Sequence, residues 1–326
     1  MQLPPYHEWV NRRQLFTAAG LAAVTDVAAP TPLPSGVGAS DVRMAHESTL
    51  RLRAVAWSQG GAPVAAALQT HAAWVEGLLD ARQKDVTRYR MLMVAALAHA
   101  AAGWNVQDIG QGDPARAHMH RALALAKGTP VLPEVLYMAA RIEGHRGDPN
   151  YALKLMQLAE VARQAAPDTS APEGVVVDSS EQLRATITAD AAKLYATVGA
   201  IDQARGHLDA AADSDDAFAQ GVAAEARMML GELDTARELA QGAVAGRDAG
   251  TARSAVPEHV TAACVLLRQH EVGAALPHVQ GAVAAVRALP GSVRSAERLR
   301  PLCVELVGTR DSAVDDLRRE AFALSR

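Results

Sequence analysis

One pattern constrains this chain more than any other: a glycine, an alanine five residues later, and a second alanine seven residues beyond that. It occurs as Gly60/Ala65/Ala72, Gly110/Ala115/Ala122, Gly147/Ala152/Ala159, Gly199/Ala204/Ala211 and Gly231/Ala236/Ala243. A sixth copy puts histidine in the glycine place, His270/Ala275/Ala282. From Gly110 to His270 the anchors lie 37, 52, 32 and 39 residues apart. That brackets the helix-turn-helix repeat of about 34 residues, with one large insertion. The spacing has a physical reading. The glycine ends one helix, where a left-handed cap costs it nothing. The first alanine opens the packing face of the next helix, and the second sits two turns further along that face. Small side chains there let paired helices approach closely.

Composition supports helix. Alanine supplies 70 of the 326 residues, while aromatics are only 4%. Alanine is the best helix former, and strands want β-branched and aromatic residues. Taken alone, the alanine bias fits a GC-rich genome equally well, as does lysine's scarcity (Lys84, Lys127, Lys154 and Lys193 among 32 basic residues). An apolar fraction of 49% with a net charge of −4 argues against disorder and against general attraction to nucleic acid. Two cysteines, Cys264 and Cys303, form no motif and suit a reduced, cytoplasmic chain. The uncharged run Met91 to Gln107 carries His99 and Asn105 and is too short and polar for a membrane span.

The expected architecture is therefore all-α. A Pro- and Gly-rich arm or linker occupies residues 1–40, holding at most a short helix over 12–24. Residues 41–326 form a tetratricopeptide-like α-solenoid of about six helix pairs. The pairs read 41–58 with 62–80, 88–109 with 113–127, 132–146 with 149–165, 180–198 with 201–213, 217–230 with 233–246, and 257–269 with 272–288. A final helix near 311–324 serves as a cap. Pro114 and Pro149 sit at helix starts, where the missing N–H costs nothing. Ala166 to Asp178, with Pro167, Pro172 and Gly174, is the insertion loop.

No catalytic or metal constellation emerges, and no cofactor is implied. His118-Met119-His120 puts two rings on different helix faces. No H-E-x-x-H, C-x-x-C, P-loop or G-x-S-x-G occurs. Asp213, Asp215 and Asp216 lack the glycine and spacing of a calcium loop. The candidates come instead from repeat geometry, in which the first helix of each pair lines the concave surface. Counting back from the anchors places there Trp104, Asp108, Glu134, Tyr137, Arg141, His145, Lys193, Glu225, Met228, Met229 and Arg268. Mixed charges with aromatics suit a peptide or protein ligand: the cations for carboxylates, Trp104 and Tyr137 for apolar side chains. The plain alternative is that Trp104 fills core and that Glu134 and Arg141 belong to a solvated face.

Several pieces, in order, resemble the tetratricopeptide region of a large actinobacterial regulator family. They are Asn11-Arg12-Arg13-Gln14-Leu15-Phe16, Thr31-Pro32-Leu33-Pro34, Ala102-Gly103-Trp104 with Asp108 and Gly110, Val135-Leu136-Tyr137, Ala152-Leu153-Lys154, and Arg298-Leu299-Arg300-Pro301-Leu302. Members usually carry an N-terminal helix-turn-helix of the Xre/Cro type. The resemblance implies a regulatory role without naming an effector. Only about ten residues precede Arg12, so direct nucleic-acid binding is not expected of this chain. The alternatives are a truncated DNA-binding regulator, or a solenoid scaffold exported by Arg12-Arg13 as a twin-arginine signal. Against export, the apolar run Thr17 to Val24 is short, and Asp26 puts a charge just beyond it. A homodimer through a terminal helix pair is a further expectation.

Overall fold

The computed structural model describes residues 35–165, 175, 181–212, 214–247, 252–309, 311 and 314–325. The expectations for Arg12-Arg13, for a helix over 12–24, for most of the arm, for Asp213 and for most of the loop Ala166 to Asp178 lie outside them. The chain divides into two compact units, Met1–Ser180 and Glu181–Arg326.

Each unit is an all-α, tetratricopeptide-like array of helix pairs, as the anchor pattern requires. The first unit holds α1 (Ala39–Gln59) with α2 (Ala65–Gly77), α3 (Asp85–Asp108) with α4 (Gly112–Ala126), and α5 (Leu132–His145) with α6 (Pro149–Ala165). A 3-10 turn, Leu78–Asp80, comes directly after α2. The second unit holds α7 (Glu181–Thr197) with α8 (Ile201–Ala210), α9 (Ala217–Met229) with α10 (Leu233–Gly246), and α11 (Ala252–Arg268) with α12 (Val272–Arg287). It ends in a short α13 (Val293–Glu297), then α14 (Arg300–Gly308) and α15 (Asp315–Leu324). First helices stack on first helices: α1 on α3 on α5 in one unit, α7 on α9 on α11 on α14 in the other. Among the described residues there is no β-strand, only an isolated bridge between Gly36 and Arg82. No described helix is long and apolar enough to cross a membrane.

The anchors do what their spacing demands. Gly60, Gly110, Gly147, Gly199, Gly231 and His270 all have positive φ, between 62° and 89°. After five of them one residue serves both helices. The N–H groups of Gln111, Asp148, Ala200, Glu232 and Glu271 donate back to Val106, Glu143, Tyr195, Arg227 and Leu266. Their carbonyls then accept from the first alanine of each pattern: Ala115, Ala152, Ala204, Ala236 and Ala275. This is the Schellman closure of one helix fused to the opening of the next. The alanines behind it are buried in every copy except Ala211, which caps the short α8 and is half-buried.

The elements differ from expectation in three places. The helix expected from 257 begins at Ala252, so Pro257 lies inside α11. α8 stops at Ala210. The closing element is not a lone helix: α15 packs against both α12 and α14, and α14 stacks on α11. No anchor-and-alanine frame marks this last stretch, so the pattern missed α13 and α14. Leu299, Leu302 and Leu306 are fully buried there and complete the core around Cys264, Leu266 and Leu289.

Candidate functional site

The face built by first helices carries most of the sequence candidates, and it gathers them into two clusters, one per unit. In the first unit, α5 presents Glu134, Tyr137, Arg141 and His145 at three- and four-residue steps, which align on one helix side. Trp104 comes from the neighbouring α3. The Arg141 guanidinium lies 4.7 Å from the centre of the Trp104 ring and 5.6 Å from that of Tyr137. His145 tilts against Trp104 at 5.9 Å. Cation–π contacts of this kind contribute roughly 0.5–2 kcal/mol each, more as they are desolvated. Both aromatic rings are under a tenth exposed, whereas Arg141 and His145 keep partial solvent contact. The cluster is thus an aromatic base with a cationic lip.

Glu134 and Asp108 are used differently. Glu134 is buried and pairs with Arg53 of α1 at 2.9 Å. Asp108 is fully buried, and its Oδ2 accepts the Gly61 N–H at 2.7 Å. That bond secures the turn between α1 and α2. A Cβ on Gly61 would stand 2.8 Å from the Asn105 carbonyl and 2.9 Å from Asp108 itself. Asp108 therefore belongs to the interior rather than to a groove surface, a correction to its expected place. A short carboxylate is the group that can satisfy a buried N–H so close to backbone.

In the second unit, Lys193 of α7 donates to Glu225 of α9 at 2.7 Å. Arg298, just past α13, donates to both Glu225 oxygens at 3.2 and 3.3 Å. Burial pushes the Glu225 carboxyl upward, but Lys193 and Arg298 more than offset that and hold it at about 2. Burial lowers the Lys193 ammonium, with Arg298 adding to the shift and Glu225 opposing it. Arg268 lies apart from this group on α11. It donates to Glu305 of α14 at 2.8 Å and to the Met228 carbonyl at 3.3 Å. Met228 is buried and Met229 is 42% exposed. Sequence reasoning missed Arg298 and Glu305, because the repeat count stopped at α12. The available signal was Arg300-Pro301, a proline in the first helical turn.

Groups with chemical potential elsewhere are buried. The thiol of Cys264 is pushed up to about 12 by burial, which suits an inert thiol rather than a nucleophile. Cys303 is also buried, and both cysteines are free. Among the described residues no three His, Cys, Asp or Glu side chains converge as a metal site. Asp216 caps α9 through Ala219 N–H at 2.7 Å and accepts from Gln182. His118 faces α3, while Met119 is buried and His120 is exposed.

No protein-family model matches the chain, and no curated protein matches it. Among solved structures it is similar to a chain in the crystal structure of the APC/C hetero-tetramer Cut9-Hcn1. The identity is 9% and the TM-score 0.47, covering 87% of this chain and 54% of that one. It is also similar to a monomeric mutant of IFIT1 with Gppp-AAAA, at 13% identity and TM-score 0.47, covering 94% of this chain and 75% of that one. The chain spans about half the length of the first of these relatives.

Proposed function

We propose that this chain is a regulatory binding module that holds a peptide or protein segment on its first-helix faces. The observation that carries the reading is Arg141 set against Trp104 and Tyr137, with His145 beside them. Tryptophan, tyrosine and arginine are the residues that dominate protein-binding hot spots. The two rings, themselves buried, hold the partly exposed guanidinium in place, and a guanidinium recognises a carboxylate by a two-pronged hydrogen bond. The preferred ligand is thus a segment with an acidic side chain or terminal carboxylate beside an apolar one. The Lys193–Glu225–Arg298 group, two cations on one carboxylate, supplies a second contact area in the other unit. Membership of the Xre/Cro-type regulators' tetratricopeptide region, action in a transcriptional or signalling switch, a cytoplasmic location and homodimerisation all belong to the proposal.

Native mass spectrometry of the protein purified from its own host tests it. The expected result is a bound polypeptide mass that disappears in the Tyr137→Ala, Arg141→Ala variant while the helical circular-dichroism signal is retained. A bound mass indifferent to both substitutions contradicts the proposal.

A further inference from the structure

Two histidine pairs occupy one repeat position. His99 and His118 stand 11 residues before and 8 after the anchor Gly110, and His259 and His278 stand 11 before and 8 after the anchor His270. Each pair bridges the seam between the first and second helix of its repeat. The facing Nδ1 atoms are 3.0 Å apart across α3/α4 and 3.2 Å apart across α11/α12. The rings tilt alike, at 40° and 48°. The same position in α5/α6 is held by Leu136 and Leu155, both buried. In that repeat an apolar contact fills the seam.

Two Nδ1 atoms at this distance share one proton, one ring donating and the other accepting. When both rings are protonated, two N–H groups and two positive charges face each other, and the contact is lost. The surroundings of the two pairs differ in how they meet that charge. On the first seam the Nε2 of His99 donates to Glu76 of α2 at 2.7 Å. Glu76 also accepts from Arg121 of α4. A carboxylate thus stands beside the first imidazolium to form. On the second seam the charged group facing His259 is Arg247, a cation at the end of α10. The ring packs closely on Gly281 of α12, where a Cβ would meet it at 2.7 Å. Of the acidic side chains on the packed elements, Glu238 of α10 is exposed, burial raises Glu258 to about 8, and the others pair elsewhere. Glu258 pairs with Arg247, Glu225 with Lys193 and Arg298, Glu271 with Arg237, Glu305 with Arg268, and Glu320 with Arg287. From α10, Asp234 accepts from Gln269, and from α15, Asp315 pairs with Arg318.

We propose that the α11/α12 seam is an acid-operated joint: as pH falls below neutral, the His259–His278 contact breaks and the seam opens, while the carboxylate-backed His99–His118 seam holds. Burial, Arg247 and His278 together push His259 down to about 4, and burial lowers His278. Burial and Arg121 lower His99 as well, but there Glu76 pulls in the opposite direction and offsets part of the shift. A histidine lowered in the folded state gives stability that is present above its unfolded value of 6.5 and is lost as pH falls toward 4. The joint lies next to the α14/α15 closing pair, since α12 packs on α15. Acid release would loosen that end of the second unit.

Hydrogen exchange of the full chain, read as protection factors at neutral pH and at about pH 5, tests this. The amides of α11 and α12 should lose at least about tenfold more protection than those of α3 and α4. The His259→Leu, His278→Leu variant copies the α5/α6 solution and should abolish the difference. Should that variant fail to fold, His278→Gln, which stays neutral, should reduce it. Glu76→Gln should make α3/α4 lose protection in acid as α11/α12 does. Equal losses in the two seams of the native chain, or an acid loss in α11/α12 that survives removal of the histidines, would overturn the proposal.

Discussion

At the scale of single residues, the backbone conformation of six positions sets the whole repeat. His270 adopts φ 62° where five other anchors use glycine. A left-handed conformation costs a residue with a side chain roughly 1–2 kcal/mol. His270→Gly should therefore raise the melting temperature, with a gain of about 0.5–1 kcal/mol after the added freedom of the unfolded chain is subtracted. Gly147→Ala should lose about 1 kcal/mol through backbone strain alone, because a Cβ there meets nothing within 4 Å. Gly61→Ala should lose more, since its Cβ would press on the Asn105 carbonyl. Denaturant melts of the three variants order them. The anchors were readable from sequence because glycine's freedom and alanine's size leave a spaced record. Asp108 was not. Its partner, the Gly61 N–H, lies 47 residues away, and only the fold reveals that the carboxylate is spent there.

At the scale of elements, close approach of paired helices rests on methyl-sized contacts. Ala152 and Ala236 have no solvent exposure. Ala152→Leu or Ala236→Leu should overpack the seam and cost about 1–3 kcal/mol. Ala284→Leu, on the exposed side of α12, should change stability by under about 0.5 kcal/mol. Chemical denaturation distinguishes the two outcomes. The same logic explains what the pattern recovered and what it missed. Helix pairs that use the anchor-and-alanine frame were placed to within a few residues. α13 and α14 pack through Leu299, Leu302 and Leu306 instead, so nothing in the frame announced them.

At the scale of the molecule, charge pairs link elements far apart in the chain. Arg298 reaches Glu225 across 73 residues, a separation no local pattern encodes. Trp104, Tyr137, Arg141 and His145 were readable as a set because their helices could be phased from the anchors, but the stacking of Arg141 on both rings was not. The buried carboxyls predict opposite pH limbs. Glu225, held at about 2, contributes stability that is present above its unfolded value of 4.5 and is lost as pH falls toward 2. Burial raises Glu258 to about 8 despite Arg247 nearby, so its cost grows as pH rises from 4.5 through 8. Melting temperature against pH should fall on the alkaline side, and Glu258→Gln should flatten that fall. Binding on the first-helix face is the central claim. The most direct measurement is the dissociation constant of peptides selected from a random library on the native chain, compared with an Arg141→Ala variant whose helical circular-dichroism signal is retained. The expected result is acidic-apolar peptides whose binding weakens at least about tenfold in the variant, roughly the 1.4 kcal/mol of one strong contact. Equal affinity for both proteins, or no peptide selected at all, would contradict it.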